Sequence, residues 1–504
     1  MNAGRDLATE LGRIVGEKFV SVGRVDLSIY NHDPLLPARD LADLPQAVVR
    51  PADETEVQAL VRFAAAEKIP LLPNGSGGSG AAAPGGRGIV IDLKRLDRIL
   101  AIDEQGLTVT AEAGIAGEIL ERGLNLRGFT LGHFPSSTTY GGWLSTCAAG
   151  PLSAGCGRTE EVVSLRAVLP DGEIFSTPPV PLPGPGPDWN HVFVRAEGTL
   201  GLITSATCRI RPLPASRLYQ GYSFGRVEDG FEAVRRIMQS GQRPADIRLS
   251  DPVDTFFSRT GRIVLADESA GSEFEVRAVT PPRDLGAWPR RALSFLFRPA
   301  FLNSLLGRLE RSNLMLAFEG DPEVVRLEQS QARGLCAATG GHDRGDAPAS
   351  PWRDRSQVGP ALAAMFAPGP FVDAIEVAAG WDNLANLYYS MRESIGRHAL
   401  VRARFGHAGE QGCSIHFSVA AAGRAPEENL DVYGRVWDAA LRTSMEKGGA
   451  ISPCHGAGVK AGWVMDQPGG AWPLFRALKD AADPVGIMNP GKPGPVADGS
   501  GGGQ

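Results

Sequence analysis

The sequence lacks long hydrophobic runs, blocks of like charge and a cysteine framework, and each absence excludes a class of protein. No apolar stretch approaches the ~20 residues that span a bilayer, and residues 1–24 mix charged with apolar residues, unlike a signal peptide. The 51 basic and 57 acidic residues give a net charge of −6 without a basic cluster that could bind nucleic acid. Six cysteines in 504 residues are too few for a disulfide framework. We therefore expect a reduced cytoplasmic protein with no transmembrane segment and no nucleic-acid partner.

The chain contains enough apolar sequence for more than one hydrophobic core. Its 504 residues are 43% hydrophobic and 21% charged, which is the balance of soluble globular proteins. Helical and strand-like patterns alternate up to about residue 214, longer helical segments follow, and glycine punctuation returns from residue 448. This predicts an N-terminal α+β domain, a middle domain and a C-terminal return to the first.

Local patterns place individual elements along the chain. Asp53 followed by Glu56 is typical of a helix N-cap, and apolar residues at helical spacing follow it. Two strand-like runs, 162–169 and 173–175, flank an Asp171-Gly172 turn and predict a hairpin. Beyond residue 214, helices are predicted over 225–240, 290–311, 322–338, 381–397 and 427–447.

Two glycine-rich segments match nucleotide-binding patterns but lack the required context. The segment 75–80 fits G-x-G-x-x-G, yet Pro84 and further glycines follow where a Rossmann unit begins a helix. The segment 486–492 resembles a P-loop, but Pro493 replaces the Ser/Thr that would hold Mg²⁺. A glycine loop after a strand can still hold a diphosphate on its backbone amides. An ordinary surface loop is the alternative for 75–80.

Three other stretches change the interpretation of that first loop. They are the hydroxyl-rich segment 135–146, the segment 197–203 before a strand, and the segment 483–492. Their order and spacing resemble the FAD-binding domain of the vanillyl-alcohol-oxidase and p-cresol-methylhydroxylase family, over about residues 43–492. Further motifs are most similar to the alkylglycerone-phosphate synthases within that family: Gly132-His133-x-Pro135, Gly141-Gly142-Trp143, Pro244-Ala245-x-Ile247-Arg248-Leu249-x-Asp251, Phe318-Glu319-Gly320-Asp321, and Gly448-Gly449-Ala450-Ile451-Ser452 leading to His455-Gly456-x-Gly458.

The resemblance implies a fold and a set of domain boundaries. The fold is α+β: a two-lobed FAD-binding domain of the p-cresol-methylhydroxylase type, an α/β substrate (cap) domain, and a C-terminal segment that returns to the FAD domain. The implied parts are an N-terminal helical segment (1–42), the FAD-binding domain (43–214), the cap domain (215–447), the C-terminal segment (448–496) and a flexible tail (497–504).

The resemblance also implies that three segments hold FAD. The diphosphate would lie on 73–79, the ribityl chain and ring on 136–139 and 146–149, and 197–203 would complete the cleft. Gly78 stands where relatives with covalently attached flavin carry a histidine, so we expect non-covalent FAD. The implied cofactor-binding residues are Pro73, Asn74, Gly75, Ser76, Gly77, Gly78, Ser79, Ser136, Ser137, Thr138, Thr139, Gly141, Gly142, Ser145, Thr146, Cys147, Ala148, Ala149, Glu197, Gly198, Thr199, Leu200, Gly201, Leu202 and Ile203.

The resemblance implies that the catalytic residues lie near the C-terminal end of the chain, where three histidines, His407, His416 and His455, are the candidates. An imidazole can accept a substrate proton near neutral pH because its ordinary pKa is about 6.5. The synthases carry a tyrosine where His416 stands, whereas the D-2-hydroxy-acid dehydrogenases carry a histidine in a similar pattern. A structural role is the alternative for His407. His407, His416 and Cys454 could also bind Zn²⁺, but their spacing is not a recognised zinc pattern, so no metal is assigned.

Arg248 is the candidate substrate-binding residue, because a guanidinium pairs bidentately with phosphate or carboxylate; an ordinary ion pair is the alternative. The resemblance implies exchange of an acyl for an alkyl group on dihydroxyacetone phosphate at the flavin. The alternative is an FAD-dependent oxidoreductase that takes a hydride from a D-2-hydroxy acid or another CH–OH substrate. A third hypothesis is a flavin-holding protein that has lost its activity.

The expected substrate is a small or lipid-like molecule. The apolar stretch 293–309 could line a tunnel for its chain, belong to the core, or contact a membrane surface. A homodimer and peripheral membrane contact are expected.

Overall fold

The structure, a computed structural model, divides into two compact units. One comprises Met1–Leu213 and Pro453–Gln504, and the other comprises Pro214–Ser452. The structure describes residues 3–30, 44–77, 88–132, 138–146, 161–180, 187–259, 299, 303–305, 311–346, 371–421, 428–451 and 471–492. Within those ranges, no helix combines the length and the apolar character needed to cross a bilayer.

Helices and short strands alternate in the first unit. In chain order its elements are α1 (Ala3–Val15), β1 (Val20–Ser21), α2 (Arg24–Ile29), β2 (Ala47–Val49), α3 (Glu54–Glu67), β3 (Leu71–Asn74), β4 (Ile89–Asp92), β5 (Ile99–Asp103), β6 (Thr108–Glu112), α4 (Gly117–Asn125), β7 (Phe129–Thr130), α5 (Tyr140–Thr146), β8 (Val162–Val168), β9 (Ile174–Ser176), α6 (Trp189–Phe193), β10 (Leu202–Arg209) and β11 (Arg211–Pro212).

The second unit contains longer strands, and one helix after it belongs again to the first unit. Its elements are β12 (Ser216–Phe224), α7 (Val227–Gln239), β13 (Asp246–Ser250), α8 (Pro252–Arg259), β14 (Ser312–Gly320), α9 (Pro322–Ala338), β15 (His342–Gly345), β16 (Phe371–Gly380), α10 (Leu384–Gly396), β17 (Leu400–Gly406), β18 (Gly412–Ala421), α11 (Asn429–Glu446) and β19 (Ala450–Ile451). The helix of the first unit that follows is α12 (Ala471–Ala482).

A four-stranded sheet of order β1-β2-β4-β3 opens the first unit, and both β2 and β3 run parallel to β4. The helix before β3 forms as predicted. The Asp53 side chain accepts the backbone N–H of Glu56 at 2.9 Å, and Glu56 in turn accepts that of Ala52 at 2.7 Å. The segment that starts at Gly75 therefore leaves the carboxyl end of a parallel strand, the edge at which such sheets bind ligands.

The first unit also contains a five-stranded antiparallel sheet of order β5-β6-β10-β8-β9. The hairpin predicted over 162–175 is confirmed as β8 and β9. Gly172 has a φ of 82°, a conformation that suits glycine, and its N–H bonds the carbonyl of Leu169 at 2.8 Å. The second half of the hydroxyl-rich 135–146 segment forms α5.

The second unit is built on an eight-stranded antiparallel sheet of order β15-β12-β14-β13-β17-β18-β16-β19. The helices predicted near 225–240, 322–338, 381–397 and 427–447 are present as α7, α9, α10 and α11. The predicted 290–311 helix lies largely outside the described residues. The residue patterns predicted only helices here, and a sheet was expected from the resemblance alone, as part of an α/β cap domain.

The two faces of this sheet differ in chemistry because side chains alternate along each strand. Leu249, Phe405 and Phe417 lie on one face and are buried among apolar side chains that include Tyr388 of α10. The opposite face also has apolar residues, such as Ala374 and Ala378, but it carries the polar side chains of β13, β17, β18 and β16 that are the candidate groups of the second unit, and we call it the polar face.

Candidate functional site

The structure brings the three predicted flavin segments of the first unit together. A Cβ on Gly75 would lie 2.5 Å from Thr139 Oγ1 and 3.5 Å from the Cα of Gly142. A Cβ on Gly198, which has a φ of 71°, would lie 2.6 Å from Cγ of Pro73. Glycine is therefore required at both positions, since any side chain would push the segments apart.

The turn after β3 offers backbone donors for an anion. Within the described part of the chain, the amides of Gly75, Ser76 and Gly77 have no hydrogen-bond partner. The Asn74 side chain donates to the carbonyl of Gly75 at 3.1 Å, and Gly77 has a φ of 73°. Unpaired amides in a turn of this kind form an anion-binding nest, so these residues fit the diphosphate of a dinucleotide.

Residues further along the chain hold the third predicted flavin segment, 197–203, through hydrogen bonds to its backbone. Asn489 donates to the carbonyl of Glu197 at 2.6 Å, and the Lys479 ammonium donates to that of Thr199 at 2.7 Å. Lys479 also pairs with Asp483. The sequence analysis included 483–492 in the flavin pattern but missed Lys479, which has no motif of its own.

The glycine segment 486–492, which we rejected as a P-loop, is occupied by its own hydrogen bonds. The backbone amides of Gly486, Ile487 and Met488 donate to the carboxylate of Asp483 at 3.1, 3.1 and 2.8 Å. Because this carboxylate already takes the amides that a phosphate would need, the segment holds the chain in place instead of binding an anion.

Several predicted cofactor residues have other contacts in the structure. Leu200, Leu202 and Ile203 have buried side chains in the apolar core of the first unit. Ser145 accepts the amide of Glu197 through its carbonyl at 3.0 Å, and the Thr146 hydroxyl donates to the carbonyl of Gly142 at 2.7 Å. The predicted residues that lie outside the described ranges are Gly78, Ser79, Ser136, Ser137, Cys147, Ala148, Ala149 and His455.

Four polar residues form a row across the second unit's sheet. Ser250 of β13 pairs with Arg404 of β17, Arg404 pairs with His416 of β18, and His416 pairs with Glu376 of β16. Directly opposed residues lie on the same face with Cβ atoms about 4.5–5.5 Å apart. His407 follows the end of β17 and joins this row beside Glu376.

The two imidazoles and the carboxylate converge. Oε1 of Glu376 lies 3.2 Å from Nδ1 of His407 and 3.1 Å from Nε2 of His416, and the two ring nitrogens are 3.3 Å apart. His407 has a φ of 48°, and the Trp381 indole N–H bonds the carbonyls of the loop that follows it. The strained backbone and this tether set the orientation of the His407 ring.

Glu376 is the member of this cluster that the sequence analysis left without a role. Its side chain is 5% exposed, and its Oε2 has no hydrogen-bond partner among the described residues. Burial alone would raise the pKa of Glu376, but hydrogen bonds and charge from His407 and His416 hold it well below its ordinary value. The cluster therefore contains a buried carboxylate that stays ionised and can stabilise a proton taken up by the imidazoles.

The same three side chains could share a cation. Their ligand atoms all lie within 4.8 Å of one another. The zinc hypothesis grouped His407 and His416 with Cys454, which lies outside the described residues; the structure places Glu376 beside the two histidines. A proton-transfer role for this cluster therefore requires that the purified protein contain no metal ion bound there, which a measurement of metal content tests.

We expect Glu376→Gln to alter acid stability in a defined direction. Since the folded-state pKa of Glu376 lies below the unfolded value of about 4.3, its ionic contribution is present above that pH and lost as the pH falls through the folded-state value. The difference in unfolding free energy between wild type and E376Q should therefore shrink from about pH 5 to about pH 3.5, as measured by urea titration. Glu393→Gln, at an exposed residue of α10, is the control. A difference that stays constant over this range would contradict the prediction.

Ion pairs with buried aspartates fix the positions of the arginine side chains on the polar face. The buried Asp246 accepts Nε of Arg248 at 2.9 Å, so the predicted substrate residue does form an ion pair, although its side chain keeps 20% exposure. The buried Asp254 lies 3.1 Å from Nε of Arg404 and 3.6 Å from Nη1 of Arg402. The sequence analysis missed Arg404 and Asp254.

The first unit offers a turn with unpaired backbone amides that suits a dinucleotide, and the sheet of the second unit carries imidazole and guanidinium groups. Comparisons with known proteins identify the class as a flavin-linked enzyme. A profile of the FAD binding domain matches residues 45–178. A profile of the C-terminal domain of FAD linked oxidases matches residues 213–493, more than half of the chain. The chain belongs to the FAD-linked oxidase family and is an FAD-dependent enzyme.

Two relatives indicate the range of activities in this family. Alkyldihydroxyacetonephosphate synthase, the alkylglycerone-phosphate synthase of Dictyostelium discoideum, is 27% identical over 469 residues, covering 89% of this chain and 73% of the relative. Glycolate oxidase subunit GlcD of Bacillus subtilis is 22% identical over 506 residues, covering 97% and 96%. The resemblance to this family is confirmed, and the relatives include both a synthase and an oxidoreductase.

Solved structures confirm the predicted fold. p-Cresol methylhydroxylase with bound substrate superposes with a TM-score of 0.75 at 17% identity, covering 98% of each chain. An alkyldihydroxyacetonephosphate synthase superposes with a TM-score of 0.70 at 22% identity, covering 96% of this chain and 84% of the other. The chain has the α+β fold of the p-cresol-methylhydroxylase type.

Proposed function

We propose that the protein exchanges the acyl group of an acylated dihydroxyacetone phosphate for an alkyl group. The observation that carries this proposal is the row on the second unit's sheet, where an imidazole pair held by a buried carboxylate lies next to preset arginines. Such a row can bind the anionic end of a substrate and remove a proton from a carbon near it. The relatives named synthases support the same reaction.

The residues of this chain have separate roles in the proposed reaction. The cofactor is FAD, which Gly75, Ser76 and Gly77 hold by its diphosphate and which, when bound, supplies an electrophilic ring. Arg248 binds the phosphate of the substrate, and His416 accepts the proton from the carbon next to the ketone. Glu376 stabilises the imidazolium that results. His407 and His455 are the further catalytic candidates.

The overall exchange needs no oxidant. The bond between the substrate carbon and the ester oxygen breaks, and the acyl group leaves as a fatty acid. A new bond forms between the same carbon and the oxygen of a fatty alcohol. The alcohol loses its hydroxyl proton, and the leaving carboxylic acid carries one proton away, so the protons balance. The substrate carbon has the same oxidation state in the substrate and in the product, so the flavin undergoes no net reduction or oxidation.

The second candidate function is oxidation of a D-2-hydroxy acid or another CH–OH substrate. The observation that favours it is that histidine stands at both 407 and 416, as in the dehydrogenase pattern, and relatives such as the glycolate oxidase subunit support it. In that reaction His416 or His455 would take the hydroxyl proton, and the hydride with its two electrons would pass to FAD.

One experiment separates the two functions. The FAD-loaded protein is mixed with D-lactate or 2-hydroxyglutarate without oxygen in a stopped-flow spectrometer, and in parallel with palmitoyl-dihydroxyacetone phosphate and hexadecanol. We expect ether-linked product in the second assay and no bleaching of the flavin in the first. Bleaching without ether product would replace the synthase proposal with the oxidoreductase. The absence of both signals would support the inactive flavin-holding protein.

Non-covalent attachment, the homodimer, the cytoplasmic location and peripheral membrane contact stay predictions. Flavin released by acid precipitation, the mass in solution, and co-sedimentation with lipid vesicles test the first, second and last of these. A lipid-like substrate would make contact with a membrane surface useful, because the alkyl chain has to leave the bilayer to reach the enzyme.

A further inference from the structure

Arg404 lies at the centre of the polar row. It pairs across the sheet with Ser250 on one side and with His416 on the other. Adjacent strands are about 4.8 Å apart, so an anion bound at Arg404 would lie one strand away from the imidazole that we assign to proton transfer. No motif marks this arginine in the sequence.

A buried carboxylate fixes the position of Arg404. Asp254, with 2% of its side chain exposed, accepts Nε of Arg404 at 3.1 Å and the Ser250 hydroxyl at 2.7 Å. Burial alone would raise the pKa of Asp254, but Arg404 and Arg402 hold it below its ordinary value. The carboxylate is therefore ionised and holds the guanidinium before any ligand arrives.

The outward part of Arg404 is available for a ligand. Its side chain is 40% exposed, and its Nη1 has no hydrogen-bond partner among the described residues. Arg248, on the neighbouring strand and the same face, is likewise held through its Nε, by Asp246. In both arginines, the aspartate thus binds the side of the guanidinium that carries Nε.

The two guanidinium groups influence each other. Burial lowers the pKa of Arg248, Asp246 opposes this, and the positive charge of Arg404 lowers it further. Arg402 adds a third guanidinium group, whose Nη1 lies 3.6 Å from Asp254. Holding like charges this close is unfavourable unless an anion binds between them.

We propose that Arg404 is a specificity-determining residue that acts with Arg248 to select a head group carrying two negative charges. This inference rests on the proposed function, in which Arg248 binds the anionic end of the substrate. A single guanidinium can satisfy both oxygens of a monocarboxylate. A phosphate monoester has three terminal oxygens and a second charge, and uses two guanidinium groups. The pair therefore favours a phosphate ester over a simple hydroxy acid.

The test measures ligand binding by calorimetry on the FAD-loaded protein, with sn-glycerol 3-phosphate and D-lactate as probes. We expect wild type to bind glycerol 3-phosphate more tightly than D-lactate. Arg404→Gln should weaken binding of the phosphate about 10- to 100-fold, as expected for the loss of a charged hydrogen bond. It should change binding of D-lactate by less than about threefold.

Two further variants separate recognition from folding. Arg404→Lys keeps a positive charge beside Asp254 but loses the planar fork, so it should fold and still lose part of the preference for phosphate. Arg235→Gln removes a comparably exposed arginine that is paired with Glu232 on α7, and should bind both probes as wild type does.

The inference is overturned if wild type prefers D-lactate, if R404Q and R404K bind glycerol 3-phosphate as wild type does, or if R404Q weakens both probes equally. These results differ from a failure of the proposed function. Protein that binds FAD and prefers the phosphate, yet forms no ether product, would remove the synthase reaction and leave the role of Arg404 supported.

Discussion

His416→Gln should lower the rate of product formation by about 10²- to 10⁴-fold, the range typical of a lost general base, while FAD content and melting temperature stay close to wild type. Glutamine places an amide near the position of Nε2 but cannot accept the proton. His416 is suited to this role because it faces Glu376 at 3.1 Å and is 25% exposed, so a substrate can reach it. Steady-state and single-turnover assays with the active substrate check the prediction.

The controls define what His416 does. His342→Gln, at an exposed residue of β15 in the same unit, should leave the rate unchanged. Adding Glu376→Gln to H416Q should cost little more than H416Q alone, because the two residues act as one unit. Activity that persists in H416Q, or one tightly bound divalent metal ion per chain, would contradict the assignment of this cluster to proton transfer.

The variant His416→Tyr tests the reaction class at the same position. The resemblance described in the sequence analysis implies a tyrosine there in the synthases. If the protein catalyses acyl-for-alkyl exchange, H416Y should keep more of its product formation than H416Q does. If it instead oxidises a hydroxy acid, the phenol should be a poor base near neutral pH, since its ordinary pKa is about 10, and H416Y should be as slow as H416Q.

Gly75→Ala should produce a protein that folds but binds FAD poorly. The new methyl group would lie 2.5 Å from Thr139 Oγ1, and the turn that carries the free amides of Ser76 and Gly77 would have to move. Strain of about 1–3 kcal/mol in a tightly packed site corresponds to roughly 5- to 150-fold weaker binding. Absorbance of the purified protein near 450 nm and titration of the apoprotein with FAD measure the loss.

Two variants make this prediction specific. Gly434→Ala in α11 introduces a methyl group with nothing within 4 Å and should leave FAD binding unchanged. Thr139→Ala combined with Gly75→Ala removes the atom that causes the closest clash and should recover part of the affinity. If Gly75→Ala retains a full complement of FAD, the turn after β3 does not hold the diphosphate as we propose.

The sequence predicted well those features that depend on residues close together in the chain. The N-cap of α3 needs residues three apart, and the β8–β9 hairpin needs a turn of two residues, so both patterns are visible locally. The glycine segments that we propose hold FAD are visible for a similar reason, since the tight turn and close approach restrict the residue type at each position.

The large sheet and the polar row could not be predicted in this way. Arg404 and Asp254 are 150 residues apart, and Glu376 and His407 are 31 apart. Their contacts depend on the strand order β13-β17-β18-β16, which sequence periodicity does not reveal. His407 and His416 were found because the resemblance to the family pointed to the segments that contain them. Arg404 was missed because an arginine on a strand looks the same whether it binds a substrate or solvent.

We expect the bond from Asn489 to Glu197 to delay firm cofactor binding until late in protein synthesis. It joins residues 292 positions apart, and the Lys479–Thr199 bond beside it joins residues 280 apart. At roughly 5–20 residues per second, a ribosome needs about 15–60 s to pass from one partner to the other. For that interval the nascent chain has the glycine turn and the sheet before it but not the brace on the 197–203 segment. We therefore expect tight retention of flavin to begin only when the downstream portion has emerged and docked.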